Sequence, residues 1–277
     1  MTPYNHKHLS LMGQITKHFL LISLSLLAVL PVGWMLITSF REESVIYSLN
    51  LFSPHWTLEN YEAAWKAIPI VKMLINSSIV AIGQTFFQLF SSVLAAYAFT
   101  RWNFRGQKLL YTLISLTWLV PFQVTMIPNY VTITNVGWDN TLLGLIIPNA
   151  VSAFAILSLY QAFKSFPKAL IEAAYIEGAS NWMILWKIIF PNLRASIASL
   201  GVLLFISAWN DYFWPLMVTN QLENTTVQIG LRMFMSSDIN MWGPLMAAST
   251  LSCLPILAVY LILQRQIIDS FVKWGIR

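Results

Sequence analysis

Charge is scarce in this sequence. Of 277 residues, only 10% are Asp, Glu, Lys or Arg, against about 25% in an ordinary soluble domain. That is too few to cover a water-facing globule. Cysteine is nearly absent: Cys253 stands alone, which excludes a disulfide framework. Basic runs are absent too. The net charge of +5 comes from 16 basic and 11 acidic residues spread thinly, so no nucleic-acid partner is expected. There is no Walker glycine–lysine loop, so the chain itself is expected to bind no nucleotide. What is abundant is apolar length. With 57% apolar residues and a mean hydropathy of +0.64, disorder is excluded. An all-α integral membrane protein is left.

A spanning helix needs roughly 20 apolar residues to cross about 30 Å of hydrocarbon. Charge-free runs extend over Phe19 to Phe40, Met73 to Thr100, Leu109 to Trp138, Asn140 to Phe163, Ala195 to the residue before Asp211, and Ile239 to Gln264. Six transmembrane helices are therefore predicted. The first run follows Lys7 and Lys17 as a signal peptide would, but it is too long and lacks an A-x-A site, so it reads as an anchor. With the N-terminus inside, 12 of the 16 basic residues fall in inner segments, as positive-inside bias requires. The predicted organisation is a cytoplasmic N-terminus over 1–18, a six-span domain over 19–264 and a cytoplasmic tail over 265–277.

Three connections are longer than a turn. In the outer segment from Arg41 to Lys72, Thr57 can cap a short helix whose Tyr61, Ala64, Trp65 and Ile68 share one face. It reads either as an interfacial helix or as an ordinary loop helix. The inner loop over 164–194 reads as two helices, the first opening at Ser165 and Pro167 and ending at Gly178, the second capped by Ser180 and stopping at Pro191. The outer loop over 220–243 is rich in Thr, Ser and Asn.

Within the inner loop stand Glu172, Ala173 and Ala174, then Gly178, Ile188 and Phe190-Pro191. This spacing resembles the E-A-A-x3-G-x9-I-x-L-P signature of ABC importer permeases, with Phe190 in place of Leu. Further strings agree. Thr57-Leu58-Glu59-Asn60-Tyr61, Ala95-Ala96-Tyr97-Ala98-Phe99-Thr100-Arg101 with Phe104-Arg105-Gly106, and Trp209-Asn210 with Pro215 are similar to stretches of sugar-importer permeases of the maltose and glycerol-phosphate type. The C-terminus departs from them by stopping soon after Gly275.

The resemblance implies a type I ABC importer permease working in a complex. Its partners would be an ATPase dimer, a second permease forming a heterodimer with it, an extracytoplasmic solute-binding protein and membrane lipid. ATP and Mg would be bound on the ATPase, no cofactor or metal here, and the chain would not itself be an enzyme. Glu172, Ala173, Ala174, Gly178, Ile188 and Pro191 would form the coupling loop that docks in an ATPase cleft. The other reading of that loop is a helix pair held on the membrane surface by Trp182 and Trp186. The implied setting is the bacterial inner membrane with both termini cytoplasmic. Alternatives are a permease for a non-sugar solute and an ion-gradient transporter. The latter calls for mid-bilayer charge pairs, and the sequence supplies only Asp211.

Gln123, Trp209, Asn210 and Asp211 are candidates for a substrate path. Asn210 and Asp211 could bond to sugar hydroxyls, or anchor the interface within an aromatic belt of Trp209, Tyr212, Phe213 and Trp214. Gln123, between Pro121 and Pro128, could face a cavity or bond across helices. Gln84 and Gln88, spaced i and i+4, read as packing residues. Cys253 reads as core and His55 as surface.

Overall fold

The computed structural model describes residues 11–46, 56–235 and 241–275. The predicted surface position of His55, much of the predicted cytoplasmic N-terminus, the Ser236, Ser237 and Asn240 part of the outer loop and the last two residues lie outside them. The fold is helical, and its residues divide into two compact units.

One unit holds residues up to Ala67 together with Phe234–Leu251. Its first helix, α1 (Leu11–Ser39), is apolar and exposed along most of its length, as suits a span facing lipid or a partner. A short helix, α2 (Glu59–Ala67), follows, with Thr57 Oγ1 accepting from Glu59 N at 3.1 Å. Its predicted apolar face is only partly right. Ala64 and Ile68 are buried, whereas Trp65 is 63% exposed. The unforeseen buried residue is Asn60, whose Nδ2 donates to Ser39 O at 3.0 Å and Arg41 O at 2.6 Å. An amide that satisfies the last carbonyl of α1 and one just past its end fixes how the chain leaves that helix. Tyr61 adds a 2.8 Å bond between its hydroxyl and Ser39 Oγ.

The other unit holds 68–233 and 252–275. Its spine is α3 (Ile70–Arg101). At 1.5 Å per residue its 32 residues run about 48 Å, well beyond the hydrocarbon thickness. Next come α4 (Gln107–Trp118), α5 (Phe122–Asn135), α6 (Leu142–Ile146, continued by a 3-10 turn to Asn149) and α7 (Ala153–Lys164). Then follow α8 (Lys168–Ile176), α9 (Asn181–Asn192), α10 (Arg194–Trp209), α11 (Phe213–Val218) and α12 (Val227–Met233). The last helix, α13 (Trp242–Gly275), contributes its residues to both units in turn. The helix α3 packs chiefly along α7 and α10, joining Val93, Ala96, Leu159, Leu200 and Leu204 in one core. A second core gathers Val80, Ile133, Leu145, Trp214 and Val218.

Among the described residues, six spans are present only if three of them are counted as broken. Met12–Ser39, Ile70–Arg101 and Trp242–Gln266 are each long and apolar enough to cross a bilayer alone. The others are bent pairs: α4 with α5 by 97°, the Leu142–Asn149 segment with α7 by 46°, and α9 with α10 by 78°. The first bend is at Pro121, which can neither donate an amide hydrogen bond nor let its predecessor stay helical.

The aromatic belt predicted around the end of α10 is also revised. Trp209 and Trp214 are each only 1% exposed. Trp209 stacks on Phe205 at 5.8 Å, and Trp214 Nε1 donates to Gly144 O at 3.0 Å. With its N–H satisfied, that indole is stable in the interior. Cys253 is half-buried.

Candidate functional site

The inner loop is built from local signals. Pro167 leads into α8. At the far end Gly178 takes φ +81°, and its N–H donates to Tyr175 O while Ala179 N donates to Ala174 O, both at 2.9 Å. This is a Schellman closure, which places glycine at the left-handed position. Ser180 Oγ then accepts from Met183 N at 3.3 Å and starts α9. The middle of α9, Ile184–Ile189, is a π-helix, a form that concentrates at functional sites. Leu193 ends α9, and α10 leaves at 78°.

Burial sorts the signature into two faces. Ile171, Ala174, Ile184, Leu185 and Ile189 belong to the core, with Ile188 and Phe190 half-buried against it. Glu172, Ala173, Gly178 and Pro191 are exposed. The signature is therefore not one surface. Ala174 is small so that α8 can approach its own bundle, whereas Ala173 faces outward. Phe190 completes an aromatic row, with Trp186–Phe190 at 5.1 Å and Trp182–Trp186 at 5.5 Å. Exposed apolar residues flank Glu172 and Glu177: Leu170, Trp182 and Ile176, the last 89% exposed. The sequence reading did not single out Leu170 or Ile176. Their signal was an apolar side chain on the outward side of a short amphipathic helix.

The end of α3 holds this loop. Tyr97 Oη donates to Asn181 O at 3.0 Å. Arg101 Nε donates to the Tyr175 hydroxyl at 3.2 Å, and that hydroxyl donates on to Asn181 Oδ1. Tyr97 and Arg101 lie in the string that already pointed to sugar permeases. The structure gives that string a physical task.

The four path candidates do not converge. Gln123 is exposed on α5, Trp209 is core, and Asn210 is exposed with its Oδ1 accepting from Gln228 Nε2 at 3.2 Å. Asp211 lines a cavity of about 230 Å³, shared with Gln84, Gln88, Phe122, Asn149 and Ser207, whose lining does not include the other three. No group of three or more His, Cys, Asp or Glu that could hold a metal occurs among the described residues.

Comparison with known proteins accords with this architecture. Residues 88–273 match the family described as binding-protein-dependent transport system inner membrane component. The diacetylchitobiose uptake system permease protein NgcG of Streptomyces coelicolor is 31% identical over 260 residues, covering 92% of this chain and 86% of that one. The lactose transport system permease protein LacG of Rhizobium radiobacter is 29% identical, covering 93% and 94%. The sn-glycerol-3-phosphate transport system permease protein UgpE of Yersinia enterocolitica is 31% identical, covering 92% and 94%. In fold, a chain of a bacterial ABC transporter involved in import of the acidic polysaccharide alginate matches with a TM-score of 0.78 over 92% of this chain and 96% of that one, at 22% identity.

Proposed function

The chain belongs to the inner membrane components of binding-protein-dependent transport systems, and on that premise we propose that it is a permease subunit of an ATP-driven importer for a sugar or sugar derivative. The carbohydrate solute is supported by the names of the relatives. The ATP drive is supported by one observation above all: the two-faced loop of α8 and α9. Its buried face roots it in the bundle, and its outward face presents Glu172, Ala173 and Ile176 to a partner.

In this reading an ATPase dimer receives that outward face, and ATP and Mg are bound there and not on this chain. A second permease completes the pathway as a heterodimer, and a solute-binding protein outside delivers the solute. Closure of the ATPases displaces α8 and α9, and the core contacts of Ile184, Leu185 and Ile189 carry the displacement to the spans. Both termini are cytoplasmic, as the bias of basic residues towards the inner segments favours.

The test is ATP-dependent uptake into vesicles holding the whole complex, with Glu172→Arg and Gly178→Pro. Proline cannot take the positive φ of Gly178, so the loop would be rebuilt. Both variants are expected to lose uptake and stimulated ATP hydrolysis together. Retention of both activities by either variant would sink the coupling role, and uptake driven by an imposed ion gradient without ATP would sink the importer reading.

A further inference from the structure

The cavity beside Asp211 is polar, and its charge is one-sided. Gln84 and Gln88 sit one turn apart on α3. Gln84 Nε2 donates to Leu145 O at 2.9 Å and Gln88 Nε2 to Asn149 O at 2.6 Å. Asn149 Nδ2 is turned to Leu145 O at 3.5 Å. A backbone carbonyl only accepts, so these contacts fix which end of each amide faces it. Each nitrogen gives one of its two N–H groups to the backbone, so every amide leaves its oxygen and one N–H for a ligand. Asp211 adds a carboxylate, one oxygen of which meets Trp214 N at 3.5 Å. The hydroxyl of Ser207 is the one rotatable donor on the wall, and no Lys, Arg or His lines the cavity among the described residues.

We propose that this cavity is a solute subsite for a neutral or amino-substituted sugar ring, and that it rejects anionic sugars. Such a wall pairs with hydroxyl or ammonium donors. A phosphate or carboxylate would stand beside the Asp211 carboxylate with no cation on the wall to offset the like charge. The side chain of Phe122 supplies an apolar wall for the carbon face of a ring. The volume of about 230 Å³ falls below the roughly 300–1,000 Å³ of pockets that enclose drug-sized ligands, so it holds one ring-sized unit of a solute at a time. The inference rests on the permease reading and narrows it: among solutes named for the relatives, it favours lactose and diacetylchitobiose over glycerol 3-phosphate.

The test uses three probes with one ring and different charge: glucose, glucosamine and glucose 6-phosphate. In the complete complex in lipid nanodiscs, a chain carrying Cys253→Ser and Ser207→Cys is labelled with a small maleimide, and the modified peptide of this chain is quantified. Ala208→Cys, on the same wall, is the second reporter should the first label poorly. Glucose and glucosamine are expected to slow labelling. The phosphate ester is expected to need at least about tenfold higher concentration for the same protection, since like-charge contact costs several kcal/mol and each 1.4 kcal/mol is tenfold. Adding Asp211→Asn should erase the advantage of glucosamine over glucose. Equal protection by the phosphate ester, or protection by none of the three, overturns the subsite. Labelling needs no ATP, so loss of ATP-driven uptake with charge-selective protection intact would count against the importer reading alone.

Discussion

The guanidinium carbon of Arg101 lies 4.3 Å from the centroid of the Tyr175 ring. The two residues belong to different segments, the end of α3 and the last turn of α8. Their contact combines a cation over an aromatic face with a 3.2 Å hydrogen bond to the hydroxyl. Cation–π contacts contribute about 0.5–2 kcal/mol. A double-mutant cycle of Arg101→Ala and Tyr175→Leu, which removes both ring and hydroxyl, should show a coupling energy of about 1 kcal/mol in thermal unfolding. In vesicles, Arg101→Ala should lower uptake per ATP hydrolysed more than it lowers hydrolysis, because the loop would move with less of α3 following. Additive effects on stability and an unchanged uptake-to-hydrolysis ratio would count against the link.

Two neighbouring alanines should behave oppositely. Ala174 is buried against the core and Ala173 is exposed. Ala174→Phe overpacks that core and should cost about 1–3 kcal/mol of stability. Ala173→Phe should leave stability within about 0.5 kcal/mol and yet abolish stimulated ATP hydrolysis by blocking the docking face. Melting curves and ATPase assays on the same preparations separate the two. If Ala173→Phe hydrolyses ATP normally, the outward face is not the docking face.

Asn76 and Lys72 both hold the outer loop to α3, by different means. Asn76 Nδ2 donates to Glu223 O at 2.8 Å and Thr225 O at 3.0 Å. Asn76→Ala strands two carbonyls and should cost about 1–3 kcal/mol. Lys72 pairs with the exposed Glu223 carboxylate at 2.8 Å, where solvent screening keeps the contribution small. The hydrogen bond from Lys72, and then its charge, hold the Glu223 carboxyl below its ordinary value of 4.5. A lowered carboxylate stabilises above its unfolded pKa, and the contribution is lost as pH falls through the folded value. The small melting difference between wild type and Lys72→Ala at neutral pH should therefore vanish in acid. A difference independent of pH would show that the pair is not its source.

Gly144 is predicted to tolerate no side chain. A Cβ there would run into Trp138 O and stand 3.2 Å from Ile133 Cγ2. Backbone cannot swing aside as a side-chain tip can, so Gly144→Ala should cost at least about 1–3 kcal/mol and disturb the Trp214 bond to Gly144 O. Tryptophan fluorescence and melting temperature report both effects. An unshifted melt would mean that α6 moves freely.

The parts of this fold that could be read from the chain are those with a local cause. Pro167, Gly178 and Ser180 act within a few residues of themselves, and the structure uses each as a start, a stop or a cap. The hidden parts depend on partners far along the chain. Gln84 finds Leu145 O 61 residues away, and nothing near Gln84 announces it. The tryptophans at and beyond the end of α10 illustrate a further limit. Lipid and protein interior are both apolar, so residue type alone cannot say that Trp209 and Trp214 turn inward. The angle at Pro121 is likewise set by what α5 packs on, Trp138 and Trp214 among them, and not by proline alone.

The corner at Leu193 has a mechanical consequence. The helices α9 and α10 meet at 78° and are 12 and 16 residues long, arms of about 18 and 24 Å at 1.5 Å per residue. Two arms joined near a right angle form a bell crank. If they rotate as one body, a push of about 2 Å at the Asn181 end swings the Trp209 end sideways by about 2.7 Å, the ratio of the arms. A thrust along the membrane normal then becomes a lateral stroke beside Asp211. The gain is set by residue count, so lengthening α10 by one turn would change the stroke without touching either end's chemistry.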